Sequence, residues 1–133
     1  MVRSFYLDTS VAIRIILGHS PQAAEWFDDA AGGEGSRVIS SRLLRTEMTR
    51  VLRREGLPVL ERDRIIDYID IIPIDHAVLN EAEAIISHIR TLDAIHLASA
   101  LRSGLEDLTI VTHDKNVATV AEQLGFAVFD PVG

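Results

Sequence analysis

Short apolar runs alternate with longer amphipathic segments along the whole chain, and this alternation restricts the fold more than any other feature of the sequence. The runs predict five strands, at residues 4–7, 37–40, 71–74, 108–112 and 126–129. The segments between them predict helices, most of which end at a glycine. Strands that are apolar throughout and separated by helices are typical of a parallel sheet covered on both faces. We therefore predict an α/β fold of three layers, α/β/α, with a central parallel sheet of about five strands.

The predicted helices lie at residues 11–17, 21–31, 41–55, 60–69, 75–89, 91–103 and 115–124. The fourth belongs to a helical hairpin around residues 56–70, an insertion that simple alternation of strands and helices does not need. Pro73 predicts that the third strand lies at an edge of the sheet, because proline has no backbone N–H to donate. In open α/β sheets, ligands bind outside the carboxyl ends of the strands, so we expect the functional residues there.

The size and composition of the chain suit one domain. Its 133 residues, 47% of them hydrophobic, are enough for a full core, and we expect a single domain over residues 1–133. The chain has no cysteine, which excludes a disulfide scaffold, a zinc–thiolate site and a cysteine nucleophile. No apolar stretch is long enough to span a membrane and no signal-peptide core follows Met1, so we expect a cytoplasmic protein without membrane contact.

The charge is negative overall but unevenly distributed. A formal net charge of −7 argues against a protein that holds nucleic acid through bulk positive charge. Residues 1–54 nevertheless hold eight Arg or Lys against six Asp or Glu, whereas the remainder holds five against fourteen. Five arginines share one predicted helix: Arg42, Arg45, Arg50, Arg53 and Arg54. One face of this acidic protein can therefore be basic.

Two aspartates come just after predicted strands. Asp8 comes after the first strand and Asp114 after the fourth, so both belong to the same edge of a parallel sheet. Each also precedes a predicted helix, and a role as helix N-cap is the alternative.

Two further carboxylates interrupt apolar helix faces. Glu47 lies within the apolar stripe of the helix at 41–55, where a carboxylate is costly unless it is paired or protonated. A salt bridge to Arg50 or Arg14 is one explanation. Asp93 lies in the first turn of a nearly all-apolar helix, where Thr91 would be the N-cap and the helix dipole favours an anion.

Four carboxylates at one edge of a sheet would repel one another and raise one another's pKa. A divalent cation such as Mg²⁺ or Mn²⁺ removes this conflict, because it takes oxygen ligands from carboxylates and keeps positions for water and phosphate. The absence of cysteine and of His pairs at ligand spacing argues against zinc. Such a site is suited to activating water for in-line attack on a phosphodiester.

The motifs that carry these acids resemble those of PIN-domain ribonucleases. They are Leu7-Asp8-Thr9-Ser10, Glu47 in the helix after the second strand, residues 92–100 (LDAIHLASA) and Val111-Thr112-His113-Asp114. The resemblance covers essentially the whole chain, and the segment around Asp93 is its most specific part. The compact size is similar to that of the VapC toxins of toxin–antitoxin pairs.

The resemblance implies a metal-dependent endoribonuclease that cleaves single-stranded RNA. Its catalytic acids would be Asp8, Glu47, Asp93 and Asp114, binding Mg²⁺ or Mn²⁺, with Glu47 acting directly or through water. Thr9 and Thr112 match positions where a hydroxyl supports the acids. Many relatives carry a further acid where this chain has Asn116, whose amide brings no charge, so we expect one tightly bound ion in the absence of RNA.

The resemblance also implies partners. They are a second copy of the chain in a homodimer, an RNA substrate and a VapB-like antitoxin. The antitoxin would hold the toxin inactive in a heterotetramer or larger assembly. DNA would be contacted only through the antitoxin. The arginine-rich face would follow the RNA backbone through Arg42, Arg45 and Arg50, although a solvated face explains it equally well. His96 could bond a carboxylate or be an ordinary core residue, and His113 could touch substrate.

Two other interpretations remain open. A phosphoacceptor receiver domain would use Asp75 as acceptor, with Thr112 and Lys115, but it leaves Glu47 and Asp93 unexplained. A catalytically inactive PIN-like interaction module would keep the fold without the chemistry, and the presence of all four acids argues against it.

Overall fold

The computed structural model describes residues 2–132, which form five strands and seven α-helices. The strands are β1 (Arg3–Leu7), β2 (Ser36–Ser41), β3 (Asp70–Ile72), β4 (Leu108–Val111) and β5 (Ala127–Phe129). The helices are α1 (Thr9–Ile16), α2 (Pro21–Gly32), α3 (Arg42–Arg54), α4 (Asp63–Ile66), α5 (His76–Ala84), α6 (Thr91–Leu101) and α7 (Lys115–Gln123).

The strands form one parallel sheet in the order β3-β2-β1-β4-β5. The chain builds outward from β1 to β3, then returns to the other side of β1 to add β4 and β5. The strand order therefore reverses between β1 and β4, where Leu7 pairs with Val111. This is the position at which open α/β sheets bind their ligands.

Helices cover both faces of the sheet and enclose two hydrophobic cores. Successive side chains of a strand point to opposite faces, so Phe5 and Leu7 of β1 enter the first core and Tyr6 enters the second. Helices α1 to α4 complete the first core, and α6 and α7 complete the second. The predicted three-layer α/β fold with a parallel sheet of five strands is confirmed.

The third strand is an edge strand, as Pro73 predicts. β3 pairs only with β2 and ends at Ile72, directly before the proline. Its residues are half-buried or exposed, which distinguishes it from the buried ends of β1 and β2.

The prediction of one helix at residues 60–69 is wrong. The segment forms a 3₁₀ turn at Val59–Arg62 followed by the single turn α4, and it packs against α3. Ile65 is fully buried, whereas Leu60 and Tyr68 are exposed. A longer helix here would have little apolar surface to bury, and short helices without tertiary packing are not stable.

The prediction that α5 extends to residue 89 is also wrong. The helix ends at Ala84, and Ile85 adopts extended backbone angles. Ile85 and Ile89 both pack against the second core from this irregular segment. Helical periodicity does not distinguish this arrangement from a longer helix. The segment leads to Arg90, the residue at the N-cap of α6.

None of the helices between residues 2 and 132 combines the length and apolar character that crossing a membrane requires.

Candidate active site

Asp8 lies at the carboxyl end of β1 and is buried, with 4% of its surface exposed. Its Oδ2 accepts hydrogen bonds from two hydroxyls, Ser10 Oγ at 2.7 Å and Thr112 Oγ1 at 2.8 Å. Both bonds go to the same oxygen, and Oδ1 accepts neither of them. Asp8 occupies the N-cap position of α1, but its side chain makes no capping hydrogen bond. The alternative that Asp8 is simply a helix cap is therefore not supported.

Asp114 follows β4 and is a true helix N-cap. Its Oδ1 accepts hydrogen bonds from the backbone N–H groups of Asn116 at 2.9 Å and Val117 at 3.1 Å. Its own backbone N–H donates to Thr112 Oγ1 at 3.1 Å. Capping uses only one carboxylate oxygen, so Oδ2 remains for another partner.

That partner is Arg90, which joins Asp114 to Asp93. The guanidinium donates from Nη2 to Asp114 Oδ2 at 3.4 Å and from Nε to Asp93 Oδ2 at 3.3 Å. Asp93 lies in the first turn of α6, as the sequence predicts, but the N-cap position belongs to Arg90 rather than to Thr91. Arg90 is a member of this cluster that the sequence analysis missed.

The carboxylate of Asp93 titrates above its ordinary range. Burial raises its pKa most, the negative charges of Asp8 and Asp114 raise it further, and Arg90 opposes them. Asp8, which follows β1, and Asp114, which precedes α7, therefore lie close enough to Asp93 to repel its charge.

Glu47 is held by a separate set of hydrogen bonds. Its Oε1 accepts from Thr9 Oγ1 at 2.7 Å and from His96 Nε2 at 2.7 Å. The proposed salt bridge to Arg14 or Arg50 is not formed, and Arg14 instead donates to the carbonyl of Ser10. Burial raises the pKa of the Glu47 carboxyl, but the hydrogen bond and charge of His96, with Thr9 and Arg90, outweigh it and lower the pKa overall.

His96 is a buried, fully bonded residue that connects the sheet to Glu47. Its Nδ1 lies 2.7 Å from the hydroxyl of Tyr6, its Nε2 bonds Glu47, and Nε2 is also 3.0 Å from the hydroxyl of Thr9. A carboxylate can only accept, so Nε2 carries a proton. Burial raises the pKa of Tyr6, which keeps its hydroxyl protonated. His96 is therefore both a buried core residue and a hydrogen-bond partner of a carboxylate.

The remaining predicted residues lie around this cluster. The Asn116 side chain donates to the carbonyl of His88 at 3.5 Å, and His113 pairs with Asp130 at 2.9 Å. Ser10, which the sequence analysis did not single out, bonds both Asp8 and the backbone of His113. Its position two residues after Asp8 is the signal that could have identified it, because Ser commonly bonds nearby polar groups at such spacing.

The exposed arginines of α3 do not all face the same way. Arg42, Arg45 and Arg50 are all exposed. At about 100° per residue, Arg50 projects from the same side of the helix as Glu47, whereas Arg42 and Arg45 project from the opposite side. Of the three predicted RNA contacts, Arg50 is thus the one on the side of the carboxylates.

The donor set suits a hard divalent cation. Carboxylate and hydroxyl oxygens are what Mg²⁺ and Mn²⁺ prefer, and a cation would relieve the repulsion that raises the pKa of Asp93. Within residues 2–132, no group of three or more His, Asp or Glu side chains is already arranged as metal ligands. In this arrangement the positive charge among the aspartates is the guanidinium of Arg90.

The strand order argues against a receiver domain. Receiver domains have the order 2-1-3-4-5, with the switch point between the first and third strands. Here β3 is at the edge, beyond β2. Asp75, the acceptor in that interpretation, uses its side chain to cap α5 through the N–H of Val78.

Comparison with known proteins decides the family. The sequence model of the PIN domain matches residues 5–123. The chain belongs to the PIN-domain family. This confirms the resemblance drawn from the acidic motifs, and PIN-domain ribonucleases generally depend on a divalent metal ion.

Curated relatives resemble this PIN domain over nearly its whole length. Ribonuclease VapC47 of Mycobacterium tuberculosis (strain CDC 1551 / Oshkosh) is 35% identical over 132 residues, which cover 95% of this chain and 96% of the relative. Ribonuclease VapC35 of the same strain is 35% identical over 134 residues, with the same shares covered.

Solved structures share the fold. A chain of the VapBC2 crystal structure from Rickettsia felis, bound to a promoter DNA fragment, superposes with a TM-score of 0.69 at 12% identity. The comparison covers 96% of this PIN domain and 98% of that chain. A chain of VapBC-1 from nontypeable Haemophilus influenzae gives a TM-score of 0.70 at 11% identity, covering 98% and 99%.

Proposed function

We propose that this PIN domain is an endoribonuclease that hydrolyses phosphodiester bonds in single-stranded regions of RNA and acts as the toxin of a toxin–antitoxin pair in the cytoplasm. The observation that carries the proposal is the convergence of Asp8, Asp93 and Asp114 at the point where the strand order reverses. The curated relatives named ribonucleases support the choice of RNA as substrate.

In this proposal Asp8, Asp93 and Asp114 would hold one Mg²⁺ or Mn²⁺ ion, together with Glu47 directly or through water. Asp8 offers Oδ1, because Ser10 and Thr112 occupy Oδ2. Glu47 offers Oε2, because Thr9 and His96 occupy Oε1. The ion, when bound, would activate water for attack on phosphorus and neutralise the leaving oxygen.

The supporting residues orient these carboxylates. Thr112 bonds both Asp8 and the backbone of Asp114, so it couples the ends of β1 and β4. Thr9, the residue directly after Asp8, donates a hydrogen bond to Glu47 and so holds this carboxylate at the start of α1. Asn116 contributes a neutral amide where many relatives carry an acid, which favours a single ion in the absence of RNA.

The proposed partners follow from the similar solved structures and from charge. Chains of VapBC complexes share the fold, and a VapB-like antitoxin would inhibit by placing an arginine or lysine among the carboxylates. A homodimer, assembling with antitoxin into a heterotetramer or larger complex, completes the proposal. Arg50, with Arg42 and Arg45 farther round the helix, would contact the RNA backbone.

Cleavage of a labelled single-stranded RNA by the purified chain tests the function. We expect cleavage with Mn²⁺ or Mg²⁺ and none with excess chelator. Asp8→Asn and Asp93→Asn should lower the rate at least about 100-fold, because each removes a charge that the ion requires. Asp70→Asn is the matched control, since Asp70 pairs with Arg37 on the exposed surface and should leave cleavage unchanged.

Two results would contradict the proposal. Cleavage that persists in chelator would remove the metal from the mechanism. Folded Asp8→Asn and Asp93→Asn variants that arrest growth as strongly as the wild type would instead favour an inactive interaction module.

A further inference from the structure

Arg90 is the cation that joins two of the proposed metal ligands, and it comes from the chain itself. Its guanidinium bonds Asp93 Oδ2 at 3.3 Å and Asp114 Oδ2 at 3.4 Å. Its charge also lowers the pKa of Glu47 and of Asp93. It therefore lies within electrostatic reach of both the aspartate cluster and Glu47.

The position of Arg90 in the fold is unfavourable for a purely structural residue. It occupies the N-cap of α6, where the positive end of the helix dipole repels a cation, and its side chain makes no capping bond. Stabilisation by the carboxylates offsets this repulsion. The arginine is thus held at the site by the same negative charges that a metal ion would use.

The contact is also weak enough to be exchanged. The Arg90 side chain is 81% exposed, and its two hydrogen bonds are longer than the 2.7–2.9 Å typical of strong charge-assisted pairs. Exposed ion pairs of this kind stabilise a protein little.

A metal ion that uses Asp114 must compete with Arg90. Oδ1 of Asp114 is committed to the N–H groups of Asn116 and Val117, so Oδ2 is the oxygen free for a cation. Oδ2 is also the atom that Arg90 bonds. Two positive groups at one oxygen repel each other, so an ion bound at Oδ2 would weaken the bond to the guanidinium.

The displaced guanidinium would face an anionic substrate at an acidic site. Arg14 and the His113 ring, both near the strand ends, are engaged elsewhere, since Arg14 donates to the Ser10 carbonyl and His113 bonds Asp130. A guanidinium binds phosphate through two parallel hydrogen bonds, which Arg90 can offer while its backbone stays fixed at the start of α6.

We propose that Arg90 is a substrate-binding residue that exchanges partners: it bridges Asp93 and Asp114 in the metal-free protein, and it binds a phosphate of the RNA once a divalent ion occupies those carboxylates. This inference rests on the proposed function. It assigns to Arg90 two roles, competitor of the ion and ligand of the substrate, that separate measurements can distinguish.

The first measurement is a calorimetric titration of the RNA-free protein with Mn²⁺. Arg90→Gln should bind Mn²⁺ about two- to fivefold more tightly than the wild type, because the ion no longer displaces an exposed ion pair. Arg37→Gln is the matched control, since Arg37 forms a similar pair with Asp70 at the amino end of the sheet and should leave affinity unchanged. Unchanged or weaker Mn²⁺ binding by Arg90→Gln would overturn the exchange.

The second measurement is RNA cleavage at saturating Mn²⁺. Arg90→Gln should raise KM about tenfold and change kcat little, because a charge-assisted bond to a phosphate outside the reacting bond is lost. Arg90→Lys should raise KM less than Arg90→Gln does, and the control Arg37→Gln should leave KM unchanged. An unchanged KM in Arg90→Gln would overturn the substrate role.

Fluorescence anisotropy in Ca²⁺ measures binding of the same RNA independently of cleavage, and Arg90→Gln should bind it about tenfold more weakly than an Asp70→Asn reference does. Together, the three measurements separate this proposal from the proposed function. If the wild type cleaves no RNA while the Mn²⁺ affinities still shift, the proposed function fails and the ion exchange stands. If cleavage is normal and neither affinity nor KM shifts, the role of Arg90 fails and the proposed function stands.

Discussion

Asp8 is buried, whereas Glu47, Asp93 and Asp114 are each half-buried, and this difference follows from the partners each carboxylate has. Two hydroxyls bond Asp8, which compensates for the loss of water around a buried charge. Among the other three, the exposed Arg90 bonds Asp93 and Asp114, and Thr9 and His96 bond one oxygen of Glu47. Asp8 is therefore the least accessible of the four carboxylates.

Glu47 gives a pH-dependent prediction. Its pKa is lowered in the folded protein, so its ionised form adds stability that is present above the ordinary carboxyl pKa of 4.5 and is lost as pH falls through the folded value. Glu47→Gln should lower the free energy of unfolding by about 1–2 kcal/mol at pH 7, and by progressively less below pH 4.5.

Urea unfolding of both proteins between pH 3 and pH 8 measures this difference. Glu106→Gln, at an exposed position, is the control and should follow the wild type at every pH. A Glu47→Gln deficit that stays constant down to pH 3 would show that the ionised carboxylate is not what stabilises this cluster.

At the scale of elements, the site depends on how β1 and β4 end side by side. The residue after β1 is Asp8, the residue after β4 is Thr112, and the Thr112 hydroxyl connects them while it also accepts the N–H of Asp114. One hydroxyl therefore aligns a carboxylate with the N-terminus of α7. Helix α6 is attached to β1 in the second core through the Tyr6–His96 bond.

Thr112→Val tests this connection, because it keeps the shape of the side chain and removes the hydroxyl. Thr112 is buried, so Asp8 and the Asp114 N–H lose a partner that water cannot readily replace, and we expect a loss of about 1–3 kcal/mol in unfolding free energy.

Thr119→Val on the exposed face of α7 is the matched substitution and should change stability by less than about 0.5 kcal/mol. Chemical denaturation measures both. Equal effects of the two substitutions would mean that the hydroxyl of Thr112 does not connect the strand ends.

At the scale of the whole molecule, the metal-free fold carries electrostatic repulsion that a bound ion would remove. The like charges of Asp8 and Asp114 raise the pKa of Asp93, and the charge of Arg90 opposes them. An ion that binds the folded state and not the unfolded chain stabilises the fold by mass action.

Thermal unfolding with and without Mn²⁺ therefore tests the site without any substrate. At a concentration of about 100 times Kd, Mn²⁺ should add about 2.7 kcal/mol of stability and raise Tm by several degrees. Chelator should reverse the shift, and an Asp8→Asn/Asp93→Asn double variant should show none. Equal shifts in the wild type and the double variant would place the ion elsewhere.

Much of the fold was predictable because it depends on local pattern. Apolar strands separated by helices predict the parallel sheet, and Pro73 predicts the edge position of β3, both of which the structure has. The end of α5 and the short turns of residues 59–66 were not predictable, because Ile85, Ile89 and Ile65 reach the cores from irregular or minimal structure that has no periodic signature.

The candidate site was predictable as a set of acids, and their shared edge follows from the strand ends. The contacts within the site were not predictable. The partner of Glu47 is His96, 49 residues away, rather than Arg50 or Arg14. Ser10 and Arg90 had weak local signals: Ser10 is a hydroxyl close to Asp8 in sequence, and Arg90 is a cation at a helix N-terminus. Neither signal shows which carboxylate oxygen the side chain bonds.

The order of apolar and polar residues by itself determined the layers of this protein and the edge at which its acids collect, because strand and helix periodicity are properties of neighbouring residues. Only the tertiary structure decided which carboxylate oxygens are bonded and which stay free, and that Arg90 holds two of them. Such pairings depend on distances between segments that are far apart in the chain, and burial sets their strength.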